Sequence, residues 1–310
     1  MSFKKIWFLL SIAIVSLYLG LTIFDFVYKK YTEEEVKINI SSPTDFKNDI
    51  DVQGFLKQAN PQDHLVPEIK DLSILVPSCD KYSELWSPFF HFLFKNMPWL
   101  KTGSLRSSSI YLITGRKKIN HERIVNIKID EEKSWSDNML KALDVIPTKY
   151  VLIVLDDYII YENVSEKRFA DLFNFMKETN APYMELQKDP GRLEGGEIVS
   201  RPLSLTRKAQ KGSYRASLQI CIWEKDTLRR MLKSGESIWE FEISATKRTF
   251  DDTRPYLITH GDYVFRYHNL ATKGKLCKIV VDFIRNDMDW DHTWKCTDEI
   301  PWGYGQYDLQ

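Results

Sequence analysis

The sequence predicts an α/β sandwich with a mostly parallel central sheet, preceded by one N-terminal transmembrane helix. Three observations predict it. From Leu72 onward, short apolar runs alternate with amphipathic segments, the pattern of strands joined by crossover helices. The run Val151–Leu155 is apolar throughout, as a central strand covered on both faces requires. Ile6 to Phe24 carries no charge, and about 19 residues can cross a hydrocarbon core of roughly 30 Å.

The anchor comes first. Lys4 and Lys5 precede the apolar run, and Lys29 and Lys30 follow it. Trp7 and Tyr28 lie near its ends, where amphipathic rings favour the interface. The run is longer than a signal-peptide core and no small-x-small cleavage site follows, so residues 1–30 read as a retained anchor. Lysine is balanced across the two flanks, which leaves orientation open. The glycosylation triplets at Asn39 and Asn163 are compatible with a luminal domain. Residues 31–70 are polar and unpatterned and read as a stalk. Residues 71–310 read as the folded domain.

Within that domain, 73–78 is a short buried strand ended by Pro77. A helix is expected around Leu85–Phe94, with strands at 110–114 and 124–129. Ser134 caps a helix that carries Met139, Leu140, Leu143 and Ile146 at helical spacing. The strand Val151–Leu155 follows. Next come a helix over Ser165–Thr179 with Phe169, Leu172, Phe173 and Met176 on one face, and a strand at 182–187. Residues 188–211 are rich in charge and glycine and read as a long binding loop.

Composition narrows the function classes. Lys+Arg and Asp+Glu both number 43, so the basic footprint of a nucleic-acid binder is missing. The four cysteines form no C-x-x-C pair, which argues against a zinc site, and they are too few for a disulfide framework. Aromatics make up 13% of residues, which suits either core packing or rings laid against sugar faces.

In such a sheet, ligands bind beyond the carboxyl ends of the strands, where Asp156 and Asp157 follow Leu155. Two adjacent carboxylates at the mouth of a buried strand are costly unless a cation compensates them. Mg²⁺ and Mn²⁺ prefer oxygen ligands and are often held by one or two carboxylates plus substrate phosphates. In extended backbone the two side chains point oppositely. The two therefore play different roles, one ligating metal and the other bonding ribose or sugar hydroxyls, with Asp157 preferred as the ligand and Asp156 as the sugar or ribose contact.

The segments V-P-S-C-D-K-Y (76–82), S-W-S-D-N-M-L-K-A-L (134–143), Y-V-L-I-V-L-D-D-Y (150–158) and W-E-F-E (239–242) together resemble nucleotide-sugar glycosyltransferases of the GT-A type, a Rossmann-like sandwich. The resemblance is strongest to bacterial enzymes of lipopolysaccharide or capsule synthesis and spans roughly 72–280. It implies a divalent metal (Mn²⁺ or Mg²⁺), a nucleotide-sugar donor and a glycan or glycolipid acceptor. Pro77 and Asp80 would line the nucleotide pocket, with Trp135 and Asp137 nearby. The pair here reads D-D-Y rather than the common D-x-D, which leaves the division of labour open. The resemblance places an acid near 240. An inverting transferase needs a carboxylate to take the acceptor proton, and Glu240 is slightly preferred over Glu242. Two apart, they share a face in a strand and diverge in a helix. Tyr214, Arg215 and Gln219 are expected to meet acceptor or phosphate, and His268 is a further candidate metal ligand.

Three alternatives make different demands on the sequence. A nucleotidyltransferase would carry a glycine-rich basic loop after the first strand, where this chain has Pro77-Ser78-Cys79-Asp80. A glycoside hydrolase would need two carboxylates at a defined separation across the bond. A non-catalytic, membrane-tethered carbohydrate- or nucleotide-binding domain would tolerate loss of Asp156 and Asp157.

Overall fold

The computed structural model describes residues 66–129, 133–272 and 274–299. The anchor and nearly all of the stalk lie outside them. Among the described residues no helix is long and apolar enough to cross a membrane. The last stalk residues belong with the fold: Ile69 is buried, and its N–H donates to the Ser104 carbonyl at 2.8 Å.

Among the described residues nine strands form the main sheet, in the order β3-β2-β1-β4-β9-β6-β10-β8-β7. In chain order they are β1 (Leu72–Val76), β2 (Ile110–Thr114), β3 (Ile124–Lys128), β4 (Tyr150–Ile153), β6 (Tyr183–Glu185), β7 (Glu197–Ser200), β8 (Leu205–Arg207), β9 (Cys221–Glu224) and β10 (Tyr256–Thr259). Seven run one way. β9 is antiparallel to both of its neighbours, β4 and β6, and β8 is antiparallel to β7 and β10. The expected mostly parallel sheet is present, with a reversed strand at its centre. Outside it, β5 (Tyr158–Ile160) pairs with β11 (Tyr267–Asn269), and β12 (Ala271–Thr272), β13 (Lys275–Cys277) and β14 (Cys296–Thr297) form a third, small sheet.

Among the described residues eight α-helices accompany them: α1 (Trp86–Asn96), α2 (Trp99–Thr102), α3 (Trp135–Val145), α4 (Glu166–Glu178), α5 (Pro190–Leu193), α6 (Lys225–Met231), α7 (Ile238–Arg248) and α8 (Lys278–Arg285). The period-2 alternation of the strands sorts the core into two layers. Leu72, Ile74, Leu152 and Val154 face one layer with Phe89 and Leu93 of α1 and Phe169 and Phe173 of α4. Leu75, Val151 and Ile153 face the other, with Met139 and Leu143 of α3, Leu228 of α6 and Phe241 of α7. Burial of each such side chain stabilises by about 1.5–3 kcal/mol, and this fixes the register that positions the strand ends.

Several local expectations are met. Ser134 and Ser165 both cap their helices, accepting the N–H of Asp137 and Arg168. Residues 188–211 differ from the expected loop: they carry α5 and the β7–β8 hairpin, which extends the sheet beyond β10. These strands are short and partly exposed, so charge and glycine mask their alternation. The four cysteines form no disulfide.

Candidate active site

The chain runs outward from β1 to β2 and β3, then returns to lay β4 on the other side of β1. This reversal is the topological switch point at which open α/β sheets bind ligands. The parallel register pairs Leu72 with Tyr150 and Leu75 with Ile153. Carried three residues further, it sets Ser78 opposite Asp156. There the Ser78 hydroxyl donates a short hydrogen bond to the Asp156 carboxylate, and Trp86 Nε1 donates to the Ser78 oxygen at 2.7 Å.

Asp156 and Asp157 are not in extended backbone. They are the central residues of a turn closed by the Tyr158 N–H on the Leu155 carbonyl at 3.1 Å. The turn carries the chain from β4 into β5, and the Leu270 N–H holds it by donating to the Asp157 carbonyl at 2.7 Å. Asp156 is only 7% exposed. Burial first, and the neighbouring Asp157 second, push its carboxyl well above the usual range against the bond from Ser78. Burial likewise pushes Asp157 up to about 7. Among the described residues no Lys, Arg or His forms an ion pair with either carboxylate. The pair is a concentrated, uncompensated negative site.

The donor set suits a hard divalent cation whose remaining positions are filled by phosphate oxygens and water. Among the described residues no cluster of three or more His, Cys, Asp or Glu surrounds it. His268 does not join the pair in such a cluster. It is 5% exposed in β11, its ring stacked on Tyr161 at 4.1 Å and edge-on to Phe283 at 5.6 Å.

The two glutamates separate, as their helical setting demands. Ser237 caps α7, and Glu240 reaches back to accept the Ser237 N–H at 2.8 Å, completing a capping box. Glu240 is exposed, and its bonds from Ser237 hold its carboxyl below the usual range. The preference for Glu240 therefore gives way to Glu242. One oxygen of Glu242, Oε1, accepts from the Leu218 N–H at 2.7 Å and the Ser217 hydroxyl at 3.2 Å. Tyr158, which follows the acidic pair, feels both groups. Its phenol is raised first by burial, then by Asp157, then by Glu242. Its ring stacks on Tyr267 at 4.3 Å, and the Tyr267 hydroxyl donates to Gln219 Oε1. Asp157, Tyr158, Tyr267, Gln219 and Glu242 thus form one neighbourhood.

Other expected contacts are committed elsewhere. Asp80 accepts backbone N–H groups from Gly115 (2.9 Å), Arg116 (2.7 Å) and Lys117 (3.1 Å) in the loop after β2. Burial alone would raise its carboxyl, but these three donors hold it below the usual range. A Cβ at Gly115 would lie 2.9 Å from Asp80 Oδ2, so glycine permits the clamp. Asp137 accepts from the Ser134 and Ser234 hydroxyls at 2.6 and 2.7 Å and ties α3 to the turn before α7. Those two bonds lower its carboxyl to about 2. Arg215 is fully buried and stacked at 4.0 Å on Tyr256, and it donates to the carbonyls of Thr249, Asp252 and Arg254. It is a structural clamp, not the expected phosphate contact. Tyr214 adopts a left-handed φ of 47° and turns its carbonyl to Lys208. Trp135 packs on Phe241 at 5.1 Å, with its buried Nε1–H unpartnered among the described residues. Pro77 leads from β1 to Ser78.

Two features escaped the sequence reading. A surface cavity of about 480 Å³ is lined by Trp86, Ser83 and the basic run Arg116-Lys117-Lys118. One of its lining residues, Trp86, is hydrogen-bonded through Ser78 to Asp156. The second is a buried charge network on Glu185, described below. An acid within the otherwise apolar strand 182–187 was its visible signal.

No family model and no curated protein matches the chain. Solved structures that it resembles include glycosyltransferases and nucleotidyltransferases. Staphylococcus aureus TarS (residues 1–349) matches with 13% identity over 64% of this chain and 60% of that one, at a TM-score of 0.43. A mannosyltransferase from Pyrobaculum calidifontis, in complex with GDP-Man and Mn²⁺, matches with 11% identity over 72% and 63%, at 0.45. An apo UDP-glucose pyrophosphorylase matches with 8% identity over 64% and 93%, at 0.43. The chain thus spans about three-fifths of the length of the first two. At such low identities and TM-scores, function has to be read from this chain's own residues.

Proposed function

We propose that the protein is a glycosyltransferase, held at a membrane by residues 1–30, that moves a sugar from a nucleotide-sugar donor to a glycan or glycolipid acceptor. The observation that carries this reading is the uncompensated pair Asp156-Asp157 at the switch point, with a third carboxylate, Glu242, near enough to act on the phenol of Tyr158 beside the pair.

Asp157 and Asp156 would hold Mn²⁺ or Mg²⁺, which when bound neutralises charge on the donor's diphosphate as the nucleotide leaves. The chain's own residues do the rest. Ser78, fixed by Trp86, orients Asp156. The basic run Arg116-Lys117-Lys118, anchored by Asp80, supplies positive charge for the nucleotide portion. Glu242 accepts the proton of the acceptor hydroxyl. The hydroxyl oxygen then bonds to the anomeric carbon as the bond from that carbon to the phosphate oxygen breaks, and its electron pair leaves with the nucleotide.

The test is to incubate the full chain in detergent with UDP-, GDP- and CMP-sugars and Mn²⁺, and to measure nucleotide release. Release from at least one donor, lost in Asp157→Asn, supports the reading. No release and no thermal stabilisation by any donor would sink it.

A further inference from the structure

We propose that Arg192 is a positioning residue that acts through Ser217 to fix the orientation of Glu242; this rests on the reading of Glu242 as the base. Glu242 Oε1 is anchored by the Leu218 N–H and the Ser217 hydroxyl. The direction of that hydroxyl decides whether Ser217 helps Glu242 or competes with it. A serine hydroxyl has one proton to give and two lone pairs. Here Arg192 Nη1 donates to Ser217 Oγ at 2.6 Å, and the Gln219 N–H donates to it at 3.1 Å. With both lone pairs engaged, the one proton is left for Glu242. The guanidinium therefore locks Ser217 as a donor, and the second carboxylate oxygen, Oε2, remains for the acceptor proton.

The far end of the relay is tied down by ion pairs. Arg192 Nη1 also donates to Glu185 Oε1 at 2.6 Å, and Arg192 Nε pairs with Asp189 at 2.9 Å. Its guanidinium lies 4.9 Å from the Tyr214 ring centroid. The Glu185 side chain is 0% exposed, and its other oxygen takes Lys208 Nζ at 2.7 Å and the Tyr183 hydroxyl at 3.1 Å. Arginine does not lose its proton in proteins, so the lock stays set across the working pH range. The relay also gives a task to residues 188–211: their first helix, α5, delivers Arg192 to the back of the site.

The test uses Arg192→Met, Ser217→Ala, Ser217→Thr and Glu242→Gln in the full chain, read by donor turnover with Mn²⁺ and by urea unfolding midpoints. Arg192→Met and Ser217→Ala are expected to lower kcat by about 10–100-fold with the donor KM nearly unchanged, because a carboxylate misplaced by about 1 Å costs that much. Ser217→Thr, which keeps the hydroxyl, is expected to restore most of kcat. Arg192→Met is expected to add little to Glu242→Gln. The inference is overturned if Ser217→Ala keeps kcat within twofold, or if Arg192→Met lowers the residual rate of Glu242→Gln as much as it lowers the parent's. If the parent turns over no donor, the functional reading fails, and the relay is judged on unfolding alone. Non-additive midpoint shifts of Arg192→Met and Glu242→Gln then uphold it, and additive shifts refute it.

Discussion

Replacing Asp157 by Asn is expected to reverse the stability ranking of parent and variant according to what the solution contains. At pH 8 with EDTA, the Asp157 carboxyl, which burial pushes up to about 7, is mostly charged in the parent, and no basic side chain among the described residues forms an ion pair with it. A buried carboxylate whose folded value of about 7 lies well above its unfolded value near 3.9 costs the fold roughly 2–4 kcal/mol once ionised. Removing it should stabilise the ligand-free fold by about 2 kcal/mol, or about 4–8 °C in Tm for a domain of this size. With Mn²⁺ and a nucleoside diphosphate at about 1,000 times their Kd, the parent gains about 4 kcal/mol by mass action and the variant almost nothing. The parent should then melt higher. Thermal unfolding of both proteins in both solutions decides it. A variant less stable than the parent in EDTA, or one stabilised by the ligands as much as the parent, refutes a buried, uncompensated cation site.

Glu242→Gln should cut turnover by about 10²–10⁴-fold with donor binding intact. Glu240→Gln keeps an oxygen that accepts the Ser237 N–H, so it should leave both stability and turnover near the parent's; kinetics and urea melts of the pair separate the two roles. Lys208→Met leaves Glu185 buried with only Arg192 and Tyr183 as partners, so it should destabilise by about 3 kcal/mol, measurable by calorimetry. Asp137 contributes stability above its unfolded value near 3.9, and this is lost as pH falls toward the folded value of about 2. Asp137→Asn should therefore flatten the loss of stability between about pH 4 and 2, followed as urea midpoints across that range.

Much of the architecture was legible because it rests on local signals. β1, β2 and β4 announce themselves as apolar runs, and Ser134 and Ser165 as caps. β9 did not, because Cys221–Glu224 is short and becomes a central strand only through pairing with the distant β4 and β6. The position of Asp156-Asp157 was readable; its turn geometry and the bond from Ser78 were not, since the bond arises from the register of two strands over seventy residues apart. Glu240 was a missed local signal, for Ser237 three residues before it is the capping-box spacing. Arg215 shows the opposite limit. Its charge suggests a phosphate ligand, and only its burial against three carbonyls reveals the clamp.

The most direct measurement is a titration of the full chain with Mn²⁺ in the presence of UDP or GDP, following free Mn²⁺ by electron paramagnetic resonance. About one Mn²⁺ bound per chain is expected, dependent on the nucleotide and lost in both Asp156→Asn and Asp157→Asn. Equal binding in the parent and in both variants, or no binding with any nucleotide, would contradict it.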